Sequence, residues 1–341
     1  MNTESELSGK SGLPLVRLSL IYPFLENLDA QKVDPDAILR EYGLSREAIA
    51  STDVFVPAMT VYKVIQAMSK AAQDPFLAVH VGESLDLSTW PVFTESVKHA
   101  SSFGDFFFRF AAEAMQQASS VQMRLDTDGK HATFCAHRVF EPTIVPAQAD
   151  AFYVGLFTTI FRNCTGDNWN PREVLVRLSD PGAVPSGYYD LTVSRGDLRG
   201  PSIQFPQKWL LLPVDIKGFN KPSNMDIDYK SPPRSLTDAI RSALKPHLHR
   251  ADLTAEHAAE ICGYEKRALG RKLKSAGTTI TKEIATLKAE QAMRLLKETS
   301  LSIAEVGNAV GFSDPAIFSR AFKKWASESP RQFRKRYRMP S

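Results

Sequence analysis

The sequence predicts an α+β N-terminal domain followed by an all-α C-terminal domain. Its 341 residues leave room for about two domains of roughly 150 residues each. Apolar residues recur with both helical and alternating spacing in the first two thirds, and with helical spacing alone in the last third. Residues 236–341 hold 20 Lys and Arg against 11 Asp and Glu, a net charge of +9. Because the whole chain carries +4, the first 235 residues carry −5. A basic module beside an acidic one is typical of nucleic-acid binding, although a merely basic surface would give the same numbers.

The composition excludes several classes of protein. With 43% hydrophobic and 23% charged residues, the chain is unlike a disordered tail, a collagen-like fibre or a small disulfide scaffold. The three cysteines are odd in number and far apart, which predicts free thiols and a reducing, cytoplasmic location. No apolar run approaches the ~18 residues that span a bilayer, and the acidic N-terminus is not typical of a signal peptide. We therefore expect no membrane partner.

Helical and strand patterns both occur in the first domain. The predicted helices are the segment with Val16, Leu20, Phe24 and Leu28, the segment with Val61, Ile65, Met68 and Ala72, and residues 103–115 and 145–161. The predicted strands are residues 119–126, 131–140, 173–178 and 202–205. Asp128-Gly129, between the first two strands, is a hairpin signal.

A cluster of phenylalanines begins at Phe103. Phe103, Phe107 and Phe110 recur at helical spacing, and Tyr153 lies in the next long helix. Such a set can line an apolar pocket, so these four residues are the candidate effector pocket. The same stripe also fits a plain hydrophobic core, which is the commoner role of aromatic residues at this spacing.

Cys135, His131 and His137 lie at alternating positions of one predicted strand and so share a face. They raise the alternative of a metal site, or of a reactive-cysteine enzyme tethered to a DNA-binding domain. The sequence contains no CxxC, HExxH or GxSxG motif, and Cys135 falls inside a strand rather than at a strand-to-helix turn. We therefore expect no cofactor, no metal and no catalysis.

Proline and serine are frequent where the two domains meet. Four prolines interrupt residues 213–235, which contain little periodic apolar sequence. We predict a regulatory domain over residues 1–212, a linker over 213–235 and a helical domain over 236–338.

The helical domain begins with apolar residues at every fourth position from Leu236 to Leu248. Thr254 then caps a short helix that Gly263 ends, and a second helix follows. That helix turns Leu269 and Leu273 inward and carries the basic side chains Lys266, Arg267, Arg271, Lys272 and Lys274 on its other face. A short helix, a glycine-bearing turn and a basic helix form a helix-turn-helix pattern.

A second unit of the same kind follows. Ser302 and Glu305 form a capping box, Gly311 ends that helix, and Asp314-Pro315 starts the next. The helix that starts at Asp314-Pro315 is predicted to bury Ile317, Phe318, Phe322 and Trp325. It is predicted to expose Ser319, Arg320, Lys323 and Lys324.

The two units share an internal pattern. Residues 269–273 and 318–322 both have the order apolar-x-Arg-x-apolar, with Arg271 and Arg320 at the centre. A long amphipathic helix over residues 280–296 joins them. Such a helix can hold two recognition helices in successive major grooves, roughly 34–36 Å apart along one face of DNA. An ordinary helical bundle with scattered arginines is the alternative.

These motifs resemble the DNA-binding domain of the AraC/XylS family of bacterial transcription regulators. The resemblance covers residues 236–338. Its most specific parts are Ser302-Ile303-Ala304-Glu305-Val306 through Gly311-Phe312-Ser313, Phe318 through Trp325, and Ser329-Pro330-Arg331-Gln332-Phe333-Arg334.

The N-terminal domain is similar to that of an ornithine-regulator-like, arabinose-binding-type subgroup whose fold is α+β. Trp169-Asn170-Pro171 and Leu210-Leu211-Leu212-Pro213 carry this similarity. The domain does not resemble the all-β sugar-binding barrel of other members. The resemblance implies a sequence-specific regulator, an activator, that binds double-stranded promoter DNA and a small-molecule effector. It also implies contact with RNA polymerase and leaves a homodimer open. A nucleoid-like binder without sequence preference is the competing class.

The resemblance also indicates which side chains face DNA. The base-reading candidates are Lys266, Arg267, Gly270, Arg271, Ala316, Ser319 and Arg320, and the phosphate candidates are Lys274, Lys323 and Lys324. Because an arginine can bond guanine O6 and N7 together, Arg271 and Arg320 are the strongest candidates for specificity. Gly270 stands where the family often carries a longer polar side chain, and Ala316 likewise offers little reach. For Arg320, a phosphate or intradomain contact is the alternative.

Overall fold

The computed structural model describes residues 12–214 and 230–337. The predicted linker, 213–235, therefore lies mostly outside the described residues. Within them, the strands are β1 (Leu15–Arg17), β2 (Phe55–Pro57), β3 (Val121–Thr127), β4 (His131–Arg138), β5 (Leu175–Leu178), β6 (Thr192–Arg195) and β7 (Ser202–Pro206).

Helices account for most of the remaining described chain. The first described range contains α1 (Tyr22–Ala30), α2 (Pro35–Glu41), α3 (Arg46–Ala50), α4 (Ala58–Ala71), α5 (Leu77–Ser84), α6 (Pro91–Lys98), α7 (Phe103–Ala114) and α8 (Ala147–Thr165). The second contains α9 (Leu236–Leu244), α10 (Ala255–Ile261), α11 (Lys266–Ser275), α12 (Ile280–Glu298), α13 (Ile303–Ala309), α14 (Pro315–Ala326) and α15 (Pro330–Tyr337). In these two ranges, no helix has both the length and the apolar character that a membrane crossing needs.

A five-stranded sheet organises the N-terminal domain. Its order is β3-β4-β7-β5-β6; the β5–β6 pair is parallel and the other pairs are antiparallel. Helices pack against this sheet, so the predicted α+β class is confirmed. The predicted turn at Asp128-Gly129 closes the β3–β4 hairpin, where Gly129 has a φ of +92°. The Asp128 carboxylate accepts hydrogen bonds from the amides of Lys130 (2.9 Å) and His131 (2.7 Å).

Two glycines allow α5 and α8 to lie unusually close. A Cβ atom on Gly155 would lie 2.2 Å from the carbonyl oxygen of Val79, and one on Gly82 would lie 2.5 Å from that of Phe152. Backbone atoms cannot move aside as a flexible side chain can, so neither position accepts a larger residue.

The first predicted helix is wrong at its start. Val16 lies in β1, which pairs antiparallel with β2. Helix begins only after this strand, with a short 3-10 turn over Leu18–Ile21 and then α1. Pairing with a distant strand overrides the local helical periodicity here.

The C-terminal helices enclose two hydrophobic cores. One lies among α9, α10, α11 and the first half of α12, and the other lies among the end of α12, α13, α14 and α15. Leu13, Leu15 and Phe55, which precede the linker by a long way in sequence, belong to the first of these cores. The β1–β2 ribbon of the N-terminal domain is therefore also part of the packing of the helical domain.

Candidate DNA interface and effector cavity

The first recognition helix, α11, is positioned by its turn and by its buried face. The Thr254 hydroxyl accepts a hydrogen bond from the His257 amide (3.3 Å) and starts α10. Gly263 then turns the chain with a φ of +69°. Leu269 and Leu273 are fully buried, so the opposite face of α11 points to solvent.

The solvent face of α11 presents the predicted contacts of the first unit. The exposed side chains of α11 are Lys266, Arg267, Arg271, Lys272, Lys274 and Ser275. Lys266 forms an ion pair with Glu256 of α10, so a contact between Lys266 and a base would require it to leave that partner. A Cβ atom on Gly270 would have no neighbour within 4 Å, which means that this glycine leaves open space on the recognition face.

The second recognition helix, α14, begins at the predicted residue. The Glu305 amide donates to the Ser302 hydroxyl (3.2 Å) and the Ser302 amide donates to the Glu305 carboxylate (2.6 Å), which confirms the capping box of α13. Asp314 caps α14 by accepting hydrogen bonds from the amides of Ala316 (2.6 Å) and Ile317 (3.3 Å).

The outer face of α14 is exposed and partly apolar. Its exposed side chains are Pro315, Ala316, Ile317, Arg320, Lys323 and Lys324. Ile317 is 47% exposed, so the prediction that it lies in the core is wrong; Phe318 and Phe322 fill the core instead. Residues three apart share a helix face, so Ile317 lies on the same side as Arg320. Apolar side chains contact the thymine methyl group, which makes Ile317 a base-contact candidate that the periodicity missed.

The arginines of α11 and α14 are candidates for contacts with DNA. The guanidinium groups of Arg267, Arg271 and Arg320 have no hydrogen-bond or ion-pair partner in the part of the chain that the structure describes. The alternative role for Arg320 is an intradomain contact, and the described residues contain no hydrogen-bond or ion-pair partner for it. Ser319 differs, because its hydroxyl donates to the carbonyl of Pro315 (2.8 Å) and one of its bonding functions is used inside the helix.

Helix α12 holds the two units together. Its 19 residues give it a length of roughly 28 Å. Glu283, 2% exposed, pairs with Arg241 of α9 at 2.5 Å. Lys288 is also buried, and its ammonium lies 5.2 Å from the ring centroid of Phe312, in the turn before α14. Burial lowers the pKa of Lys288. Helix α12 thus contacts both α9, at the start of the helical domain, and the turn that precedes α14.

A cavity of about 810 Å³ lies in the N-terminal domain between α1, α3, α5, α6, α7, α8 and β3. Phe110 and Tyr153, two of the four candidate pocket residues, line it. Phe103 and Phe107 do not line it: both are completely buried, and the Phe107 ring centroid is 4.5 Å from that of Phe134. The structure therefore brings two of the four predicted residues to this cavity and places the other two in the aromatic core.

The residues of the alternative site lie on β4. His131, Cys135 and His137 share the less buried face of that strand. Burial raises the pKa of the Cys135 thiol, which disfavours a reactive thiolate. Among residues 12–214 and 230–337, no group of three or more His, Cys, Asp and Glu side chains could hold a metal ion.

Two family models match the chain. Residues 247–336 match a helix-turn-helix domain, and residues 33–214, more than half of the chain, match the N-terminal arabinose-binding domain of the AraC transcription regulator. The chain belongs to the AraC family of transcription regulators. It is therefore a DNA-binding regulator with an N-terminal ligand-binding domain, and the AraC family is not one of enzymes.

Several known regulatory proteins match parts of this chain. The transcriptional activator NphR of a Rhodococcus species is 32% identical over 98 residues, 29% of each chain. The ornithine utilization regulator of Pseudomonas aeruginosa is 34% identical over 79 residues, 23% of each chain. The chain thus matches less than a third of the length of either relative. The structure is also similar to that of the transcriptional regulator CdpR from P. aeruginosa, with 15% identity, a TM-score of 0.40, and coverage of 93% of this chain and 98% of that one.

Proposed function

We propose that this regulator binds a specific, asymmetric DNA site by placing α11 and α14 in two successive major grooves. The observation that carries the proposal is the pair Arg271 and Arg320. Each lies on the exposed face of its recognition helix, and neither guanidinium has a partner in the described part of the chain. An arginine so placed can bond guanine through two hydrogen bonds.

The two half-sites differ because the two helices differ. Helix α11 begins with the cations Lys266 and Arg267, whereas the first turn of α14 holds the uncharged, exposed Ala316 and Ile317 after Pro315. The first helix therefore favours hydrogen-bond acceptors such as guanine O6 and N7, and the second favours thymine methyl groups beside the base that Arg320 contacts.

The lysines at the ends of these helices contact phosphates. Lys274, Lys323 and Lys324 are exposed near the C-terminal ends of α11 and α14. Such contacts give affinity without sequence information, and each one makes binding fall with added salt through counterion release.

We further propose that the protein activates transcription in the bacterial cytoplasm through contact with RNA polymerase, with a second copy of the chain as a partner. The sign of regulation is supported by NphR, which is a transcriptional activator. In this proposal a small molecule bound by the N-terminal domain changes the affinity of the helical domain for DNA.

Selection of duplexes from a random pool by the full-length protein tests this function. We expect enrichment of one asymmetric motif with two blocks of preferred bases about one helical turn apart. The double variant Arg271→Ala/Arg320→Ala lacks both proposed base contacts and should enrich neither block. Binding without enrichment by the unaltered protein would contradict the proposal and favour a nucleoid-like binder.

A further inference from the structure

Two residues in the wall of the 810 Å³ cavity are hydrogen-bonded to Arg17, which also bonds the linker. Thr52 and Gln117 line the cavity, and both contact the buried guanidinium of Arg17. Arg17 donates from Nε to Oε1 of Gln117 (2.6 Å) and from Nη1 to the carbonyl of Thr52. It also donates from Nη2 to the carbonyl of Lys230 (2.6 Å), at the C-terminal end of the linker. A molecule that displaces this wall therefore acts on the connection to the DNA-binding domain.

The lining of this cavity has a negative electrostatic character. Its charged residues are Glu26 and Asp86, both exposed, and its described lining contains no Lys, Arg or His. Arg138 lines a smaller neighbouring cavity of about 90 Å³, where its charge is balanced by Asp150 in a buried ion pair. A ligand that enters the larger cavity thus meets two carboxylates of its lining, while the guanidinium of Arg17 lies behind Thr52 and Gln117 and is bonded to their oxygen atoms. Two negative charges against one positive charge favour a positively charged ligand.

Aromatic groups of the wall add a second preference for a cation. The Trp90 ring stands edge-on to Phe110, 5.9 Å between centroids, and Tyr153 lines the cavity from α8. Neither the indole N–H of Trp90 nor the Tyr153 hydroxyl has a hydrogen-bond partner within the two described ranges. Burial raises the pKa of Tyr153, so its hydroxyl remains protonated and polar. Aromatic faces attract organic cations, and the polar edges of these two rings can bond the ligand's own polar groups.

We infer that this cavity is the effector site and that the effector is an organic cation with an apolar body. The ammonium group lies toward Glu26 and Asp86, and the apolar body packs against Phe110 and Phe152. The volume suits a small metabolite, since ligand cavities in proteins are typically about 300–1,000 Å³. The inference rests on the proposed function, because it assigns the ligand class of the N-terminal domain of that regulator.

Three probes with one carbon framework and different charges test the ligand class. Phenylbutylamine, phenylbutanol and phenylbutyrate are titrated into the full-length protein at neutral pH by calorimetry. We expect the amine to bind about tenfold more tightly than the alcohol, and the carboxylate to bind most weakly. Equal binding of all three, tighter binding of the carboxylate, or no binding of any probe at millimolar concentration would each overturn the inference.

Two variants test the location. The double variant Glu26→Gln/Asp86→Asn keeps the size of both side chains and the capping oxygen of residue 86, so we expect it to remove the preference for the amine. The matched control is Glu141→Gln, at an exposed carboxylate outside the cavity lining, which should leave the preference unchanged. An unchanged preference in the double variant would place the amine elsewhere and overturn the site. Selection of DNA from the random pool needs no ligand, so failure of this inference is distinguishable from failure of the proposed function.

Discussion

The side chain of Ser242 hydrogen-bonds both backbone polar groups of Phe55. The Phe55 amide donates to the Ser242 hydroxyl at 3.1 Å, and that hydroxyl donates to the Phe55 carbonyl at 3.1 Å. Ser242 lies on α9, the first helix of the DNA-binding domain, and Phe55 lies on β2 of the ligand-binding domain. Lys245, which directly follows α9, reinforces the contact by pairing with Asp53 at 3.1 Å. One hydroxyl thus completes the hydrogen bonding of a strand in one domain from a helix in the other.

We expect Ser242→Ala to weaken the contact between the domains. The variant leaves the amide and the carbonyl of Phe55 buried without their partner, which costs about 1–3 kcal/mol. Urea unfolding followed by tryptophan fluorescence measures the loss. Ser313→Ala, at an exposed turn residue, is the control and should change the free energy of unfolding by less than about 0.5 kcal/mol. Equal effects of the two substitutions would show that the Ser242 contact does not stabilise the protein.

The contacts of Arg17 predict that DNA binding slows hydrogen exchange in the cavity wall. Its guanidinium joins Thr52 and Gln117 to Lys230, and coupling between two sites is reciprocal. We therefore expect selected DNA to slow amide hydrogen exchange near residues 49–55 and 116–118 in the full-length protein. Arg17→Lys keeps the charge but cannot make the same set of bonds, so the response should disappear while DNA binding persists.

Arg195→Lys, at an exposed arginine of β6, is the control for that substitution and should retain the exchange response. If Arg17→Lys retained the full response as well, Arg17 would not connect the cavity to the linker.

His247 predicts a pH dependence of stability. It lies against the N-terminal domain, where a Cβ atom on Gly43 would be 2.4 Å from its Nδ1. Burial, together with the positive charges of Arg250 and His249, lowers the pKa of His247 to about 4. An unfolded histidine titrates near 6.5, so between pH ~6.5 and ~4 the unfolded state binds more protons than the folded state. The stability from His247 is therefore complete above pH ~6.5 and is lost as the pH falls.

Urea unfolding at about pH 7.5 and about pH 5 measures this dependence. The contribution lost at the lower pH is about 2 kcal/mol, and His247→Leu should remove that part of the loss. The control His99→Asn, at an exposed histidine, should keep it. A pH dependence in His247→Leu as steep as in the unaltered protein would contradict the assignment.

Gly270 predicts a substitution that stabilises the protein. It lies inside α11 with no atom within 4 Å of its Cβ position, so an alanine fits without strain. Because glycine loses more backbone entropy than alanine in a helix, Gly270→Ala should stabilise the protein by about 0.5–1 kcal/mol. Thermal melting checks this, with Gly155→Ala as the contrast, since its Cβ would lie 2.2 Å from a backbone oxygen and should destabilise. A lower melting temperature for Gly270→Ala would show that this face is not open.

The parts of the fold that sequence alone predicts are those that depend on neighbouring residues. The capping box of Ser302 and Glu305, the hairpin at Asp128-Gly129 and the phenylalanine-rich helix α7 all follow from patterns within about a dozen residues. Each pattern satisfies its own backbone groups or buries its own face, so no distant partner is needed to specify it.

The parts that sequence does not predict depend on distant partners. Val16 has helical spacing, but pairing with Val56 makes it a strand. Phe55 belongs to the core of a domain that begins far downstream, and nothing near it in sequence indicates this. The cavity is lined from seven separate helices and strands. A stripe on one helix therefore identified Phe110 but also included Phe103 and Phe107, which face the core.

The central claim is that α11 and α14 each recognise one half of a single site, and single-residue variants test it most directly. Binding of Arg271→Ala and Arg320→Ala is measured on the selected duplex and on duplexes altered in one block at a time. We expect each variant to lose about 1–3 kcal/mol on the selected duplex and to become indifferent to the bases of one block, a different block for each variant. Arg195→Ala, which removes the same charge from the N-terminal domain, should leave both preferences intact. If both recognition-helix variants instead bound all duplexes more weakly by the same factor, both arginines would be phosphate contacts and the account would be wrong.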